Sequence, residues 1–251
     1  MFTDSHSHVY KDYYDNIDLV IDEAKQNGIT RIITCGCSSE ENSEVIDVIN
    51  TYPTIFGALG IHPENVSSYK YNDIDFIKKN IINKKVVAIG EIGLDYHYSK
   101  EEKEEQIKLL ETQLSLAEEY DIPVIIHSRD ATLDTLTSLK KYKCRGVIHS
   151  YSGSLETAQE YIKMGYLLGV NGVITFKNAN IKDVIKELPL TSIILETDSP
   201  YLTPVPFRGE KNSPKNVLYV AKFVADLKNI SLEELSKITN QNIERVFDKI
   251  Y

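Results

Sequence analysis

Short apolar runs rich in isoleucine and valine recur along the chain, separated by longer segments whose apolar residues fall at three- and four-residue spacing. The first pattern is that of buried strands and the second that of amphipathic helices. Eight runs stand out, at 2–5, 31–35, 55–59, 86–90, 123–127, 146–149, 166–170 and 192–196. Most are apolar almost throughout rather than alternating, as expected of strands covered on both faces. Between them, 17–26, 100–120 and 155–164 read as helices. Within 100–120, Ile107, Leu110, Leu114 and Ala117 line one face. The chain ends in two further helical patterns, 215–227 and 232–247.

Eight strand-helix units are the number a closed (β/α)8 TIM barrel needs, and residues 1–251 contain no linker rich in Gly, Ser or Pro. One α/β barrel is therefore the expected fold. An open doubly wound sheet is the alternative, but no Gly-x-Gly-x-x-Gly turn follows the first strand. Residues 199–214 carry four prolines, which suit neither regular helix nor central strand, and are expected to form a long functional loop.

The polar residues cluster by position. His6, His8, His62, His127 and His149 lie at or just beyond the C-terminal ends of the expected strands, with Glu91 after strand four and Glu196 and Asp198 after strand eight. A barrel gathers those ends around one mouth, the face on which its active sites occur. The sixth histidine, His97, follows a turn and is set aside. In an extended strand, alternate side chains share a side, so His6 and His8 can reach one ion. Together with His127, His149, Glu91 and Asp198 they make six candidate ligands, enough for two divalent ions sharing one carboxylate. Imidazole and carboxylate together favour Zn, Mn, Fe or Co over Ca.

Composition narrows the partners. A net charge of -9 is the wrong sign for a protein that grips long nucleic acid through many phosphates, so any such contact must be local. Bound cations would provide positive charge at one spot. Three cysteines in a long chain argue against a disulfide framework. Cys35 and Cys37 read as small half-buried residues at a strand end. The opening MFTDSHSH lacks a basic segment followed by an apolar run, and no stretch is apolar enough to span a membrane. A cytoplasmic location is expected, and nothing calls for a protein partner.

Six groups of residues carry a resemblance. They are Asp4-Ser5-His6-Ser7-His8, Gly60-Ile61-His62-Pro63, Gly90-Glu91-Ile92-Gly93-Leu94-Asp95-Tyr96, His127-Ser128-Arg129-Asp130-Ala131, His149-Ser150-Tyr151-Ser152-Gly153, and Glu196-Thr197-Asp198-Ser199-Pro200 with Asn212-Ser213-Pro214. In this order they resemble the TatD-type metal-dependent deoxyribonucleases, a branch of the amidohydrolase-like barrels. The resemblance implies that His6, His8 and Asp198 hold one ion, that His127 and His149 hold the other, and that Glu91 bridges them. It implies two divalent ions, Mg, Mn or Zn, and a DNase, often a 3′–5′ exonuclease, acting on DNA strands or ends.

Glu91 and Asp198 are the expected catalytic carboxylates, with Asp198 orienting or deprotonating the attacking water. His62, Arg208 and Lys211 are candidate phosphate contacts, and Asn212 is expected to hold the loop or a sugar. Asp4 and Asp95 are candidate partners that orient the imidazoles. Two positions depart from the family pattern: Glu64 stands where many members carry a His or a polar residue, and Lys211 where Arg is common. The same metal chemistry also serves amides and esters, and an aminoacyl-tRNA deacylase is the rival expectation.

Overall fold

The computed structural model describes residues 1–97 and 101–250. Eight strands pair in chain order and in parallel: β1 (Phe2–Ser7), β2 (Ile29–Cys35), β3 (Ile55–Leu59), β4 (Val86–Asp95), β5 (Val124–Arg129), β6 (Gly146–Ile148), β7 (Tyr166–Val170) and β8 (Ile193–Leu195). The ring closes at a seam where Ser7 bridges Ser199, the His8 amide donates to the Ser199 carbonyl at 2.7 Å, and the Asp198 amide donates to that of His6 at 2.9 Å. Asp4 reinforces this seam. Its carboxylate is buried and accepts from the Thr197 amide at 2.9 Å and hydroxyl at 2.6 Å.

Helices follow the strands: α1 (Ile17–Gln26), α2 (Ser39–Thr51), α3 (Tyr71–Asn80), α4 (Lys103–Glu119), α5 (Thr132–Leu139), α6 (Leu155–Lys163), α7 (Ile181–Glu187), α8 (Val217–Lys228) and α9 (Leu232–Val246). The α1 range is the expected one, and Asn16 caps it by accepting from the Leu19 amide at 3.0 Å. The expectation of helix from residue 100 begins outside the described residues; the described part starts at Lys103. Strand β4 runs five residues past its expected end, because Gly93 and Asp95 stay in register with His127 and Arg129 of β5.

The strand pleat divides the apolar residues into two sets. Ile33 and Cys35 of β2, Phe56 and Ala58 of β3, Ile125 of β5, Val147 of β6, Leu167 of β7 and Ile194 of β8 form one buried cluster, which α9 enters with Ile243 and Val246, followed by Phe247 just past the helix end. The other set, including Ile32, Ile55, Leu59, Val124 and Leu168, packs against the surrounding helices. Because α9 ends at the strand starts, with Lys249 Nζ on the Val86 carbonyl at 2.9 Å, it seals the N-terminal end of the barrel. The opposite end is left for chemistry.

Residues 199–214 form an irregular loop beside that open end. Its base is fastened by Asn212, fully buried, whose Nδ2 donates to the Thr197 carbonyl at 3.0 Å and the Tyr201 carbonyl at 2.6 Å. Among the described residues no helix is long and apolar enough to cross a membrane.

Candidate metal centre

The pleat that fills the barrel also builds its mouth. Two residues beyond inward Ile125 stands His127, two beyond Val147 stands His149, and beyond Ile194 come Glu196 and then Asp198. His6 on β1 and His8 just beyond its end share one parity. His8, His127, His149 and Asp198 border a cleft of about 720 Å³.

Glu91 sits at the centre, nearly fully buried. Its Oε2 lies 3.2 Å from His6 Nε2 and 3.8 Å from His8 Nε2, while its Oε1 lies 2.9 Å from His127 Nδ1 and 2.8 Å from His149 Nε2. Each oxygen thus faces a different pair of imidazoles. Asp198 completes the first group, with Oδ1 at 3.5 Å from His6 Nε2 and 3.6 Å from His8 Nε2. It holds a left-handed backbone (φ 56°), which Asp tolerates better than most residues and which turns its carboxylate across the seam.

Neighbouring groups set the imidazole protons. His8 Nδ1 lies 2.9 Å from the Cys35 carbonyl, which can only accept, so Nδ1 carries the proton and Nε2 offers a lone pair. His127 Nε2 does the same toward Asp95 Oδ2 at 3.0 Å, leaving Nδ1 for the site. Behind His149, Glu196 Oε1 accepts from the Ser150 amide at 2.6 Å and stands 3.6 Å from His149 Nδ1. Gly169 makes room for this carboxylate, since a Cβ there would meet Glu196 Oε2 at 2.3 Å. His62 is different. Its Nδ1 accepts from the Glu64 amide at 3.3 Å, so it presents an N–H from Nε2, 3.6 Å from Glu91 Oε1.

Electrostatics fit a bound cation. Burial alone would raise the Glu91 carboxyl, but His149 and His6 hold it well below the usual range. Burial works against the Asp198 carboxylate too, yet the bond from His8 and the nearby imidazoles keep it low. Burial opposes charge on His127, but Asp95 and Glu91 raise it; Glu91 and Glu196 raise His149 further. Burial and His127 push His62 down to about 3, so it stays neutral. Two observations test the fit. His6 Nε2 is buried without a hydrogen bond, and two ring nitrogens 3.3 Å apart both point at one carboxylate oxygen. Lone pairs converging in this way are compensated by positive charge, and carboxylate with neutral imidazole is the donor set of a divalent transition ion.

The structure brings His6, His8, Glu91, His127, His149 and Asp198 together, with His62 at the edge. It does not bring the three loop residues there. Arg208 lies over the Phe176 ring at 3.9 Å, and Lys211 over the Tyr14 ring at 4.6 Å. Lys211 and Asn212 border a separate groove between α1 and the loop. Asp95 orients an imidazole as expected, whereas Asp4 bonds across the seam instead. Arg129, Cys37 and Tyr201 are among the cleft residues that carried no assigned role in the sequence. Parity would have flagged Cys37, which follows Ile33 and Cys35 at the same spacing that leads to His127 and His149.

A (β/α)8 barrel whose strand ends gather five imidazoles around one central carboxylate defines a metal-dependent hydrolase. The sequence model of TatD related DNases matches residues 3–248, and the chain belongs to that family. It is 40% identical over 252 residues to the metal-dependent hydrolase YabD of Bacillus subtilis, covering 98% of this chain and 99% of that one. The metal-dependent hydrolase YcfH of Escherichia coli is 33% identical, with 97% and 94% covered. Among solved structures, the TatD homolog YjjV of Escherichia coli superposes with a TM-score of 0.93 at 31% identity, covering 98% of both chains. The TatD family hydrolase of Entamoeba histolytica gives 0.88 at 25%, covering 98% of this chain and 97% of that one.

Proposed function

We propose that the protein is a deoxyribonuclease that removes nucleotides from the 3′ end of DNA single strands, using two divalent ions, Mg, Mn or Zn. The observation that carries the proposal is the division of Glu91, whose two oxygens face separate imidazole pairs. In this reading His6, His8 and Asp198 hold one ion, His127 and His149 the other, and Glu91 both. When bound, the pair supplies a water acidified toward neutral pH and positive charge beside the phosphoryl oxygens.

The chain's own residues account for the remainder. Asp198 is the carboxylate that opens on the cleft, its side chain 15% exposed against 4% for Glu91, so it can orient the attacking water and accept its proton. His62 offers a neutral N–H to a substrate oxygen. Arg129, the Arg or Lys bordering the cleft among the described residues, provides the planar fork that phosphate accepts. This is the local positive contact that a chain of charge -9 requires. On the rim, Tyr201 is half exposed and bonds through its hydroxyl to that of Tyr13 at 2.9 Å, a surface on which a base can stack. Three free cysteines suit a cytoplasmic setting.

The test is nucleotide release from 3′- and 5′-labelled single strands with Mg or Mn, run beside amide, lactone and aminoacyl-ester substrates. Release from the 3′ label first is expected, and Arg129→Ala should raise KM on the order of tenfold, the loss of one charged hydrogen bond. Turnover of aminoacyl esters alone would replace the nuclease reading with that of a deacylase.

A further inference from the structure

The C-x-C at the end of β2 meets the H-x-H of β1 across the seam between those strands. Cys35 is fully buried, its Sγ 3.5 Å from His6 Nδ1 on the side away from Glu91. Cys37 takes the next inward position and borders the cleft. Its backbone is fixed by three bonds: its amide donates to Glu41 Oε2 at 2.8 Å, and its carbonyl accepts from the His62 amide at 2.9 Å and Asn65 Nδ2 at 2.8 Å. So held, the thiol reaches the metal centre, with Sγ 3.8 Å from Glu91 Oε2.

That oxygen is also the one His6 and His8 face. Donor atoms of His8, Cys37 and Glu91 all lie within 4.8 Å of one another. Sulfur and nitrogen bound to one zinc stand about 3–3.5 Å apart, so a small side-chain rotation brings these three onto a common ion, with Cys37 as a fifth protein donor beside His6 and Asp198. A second observation points to a ligand at the same place: His6 Nε2, 3.2 Å from Glu91 Oε2, is buried without a hydrogen bond.

We propose that Cys37 is a sulfur donor to the ion on the β1 side of Glu91, and that it takes this role for zinc-class ions but not for Mg or Mn. The inference rests on the two-ion centre described under the proposed function. The thiol proton leaves to solvent, the sulfur lone pair fills one coordination position, and no electron is transferred. Thiolate suits Zn, Co and Cd, while Mg and Mn prefer oxygen. With sulfur bound, the ion has one position fewer for water and substrate, so the metal loaded decides how open this half of the site is. Cys144 has no part in it, as its Sγ lies 3.5 Å from the Leu114 carbonyl, behind the barrel wall.

Cobalt substitution reads the bond directly. The full-length protein loaded with Co(II) should show a sulfur-to-cobalt charge-transfer band in the near ultraviolet, kept in Cys144→Ser and lost in Cys37→Ser. Cobalt bound, as its visible bands report, with no sulfur band, or a band that survives in Cys37→Ser, overturns the role of Cys37 alone. Failure to bind cobalt overturns the two-ion centre with it. Should Cys37→Ser not fold, alkylation of the wild-type protein decides. Protection of the Cys37 peptide by Zn but not by Mn supports the proposal, and equal labelling with both overturns it. Neither readout involves DNA or turnover.

Discussion

On the β1 side of Glu91 the imidazoles rest on uncharged groups, with His8 Nδ1 against the Cys35 carbonyl and His6 Nδ1 3.5 Å from Cys35 Sγ. On the β5 and β6 side they are held by acids, with Asp95 behind His127 and Glu196 behind His149. Burial does not follow this division: the His6 and His149 side chains are 0% and 4% exposed, those of His8 and His127 6% and 18%. A backbone carbonyl aims a ring without adding net charge. A carboxylate does both, raising the basicity of the imidazole it touches. One half of the centre is therefore built for fixed geometry, and the other has its affinity set by acids that can be changed singly.

Substitutions can break this contrast. Glu91→Ala removes the oxygen on each side, and metal-dependent hydrolysis should fall to background while far-ultraviolet circular dichroism is retained. Elemental analysis should then find at most one ion, and two ions with full activity would contradict a shared bridge. Asp95→Asn is expected to weaken one of two stepwise metal-binding events by roughly 10- to 100-fold and to leave the other unchanged. Equal loss in both steps would remove the distinction between the halves.

Smaller effects sharpen its boundary. Asn212→Ala strips two carbonyls of their donor, that of Thr197 buried, and should lower stability by about 1–3 kcal/mol, seen as a reduced melting temperature and a more protease-sensitive loop. Lys211→Ala removes only the contact over Tyr14, about 0.5–1 kcal/mol at an exposed site. It should leave DNA affinity unchanged in a filter-binding titration; a large loss would extend the substrate path from the cleft to the groove beside α1.

Most strands were readable because they are apolar on both faces, and β3 and β7 begin and end as their runs do. The β4 end was not, since Ile92-Gly93-Leu94 is strand only through pairing with β5, which no local pattern reports. The metal-facing histidines were readable for a geometric reason: a strand end fixes both depth and side. Loop residues carry no such constraint. Arg208 and Lys211 have the charge a phosphate contact needs, but the turns between Ser199 and Pro214 direct them onto aromatic rings. Arg129 was passed over although it shares the parity of Ile125 and His127, and its place at the end of β5 puts it on the rim.

The seam between β8 and β1 gives the metal centre a place in time as well as in space. Asp4 and Thr197 are bonded across a separation of 193 residues, and Asp198 reaches His6 over a similar span. Contacts of such sequence distance repay their loop-closure entropy only after the intervening structure has formed. His6 and His8 are thus made with the first strand, yet the carboxylate that joins them arrives with the eighth. A chain halted before that point carries an imidazole pair without its partner. The donor set on this side of Glu91 is therefore complete only once the ring is whole.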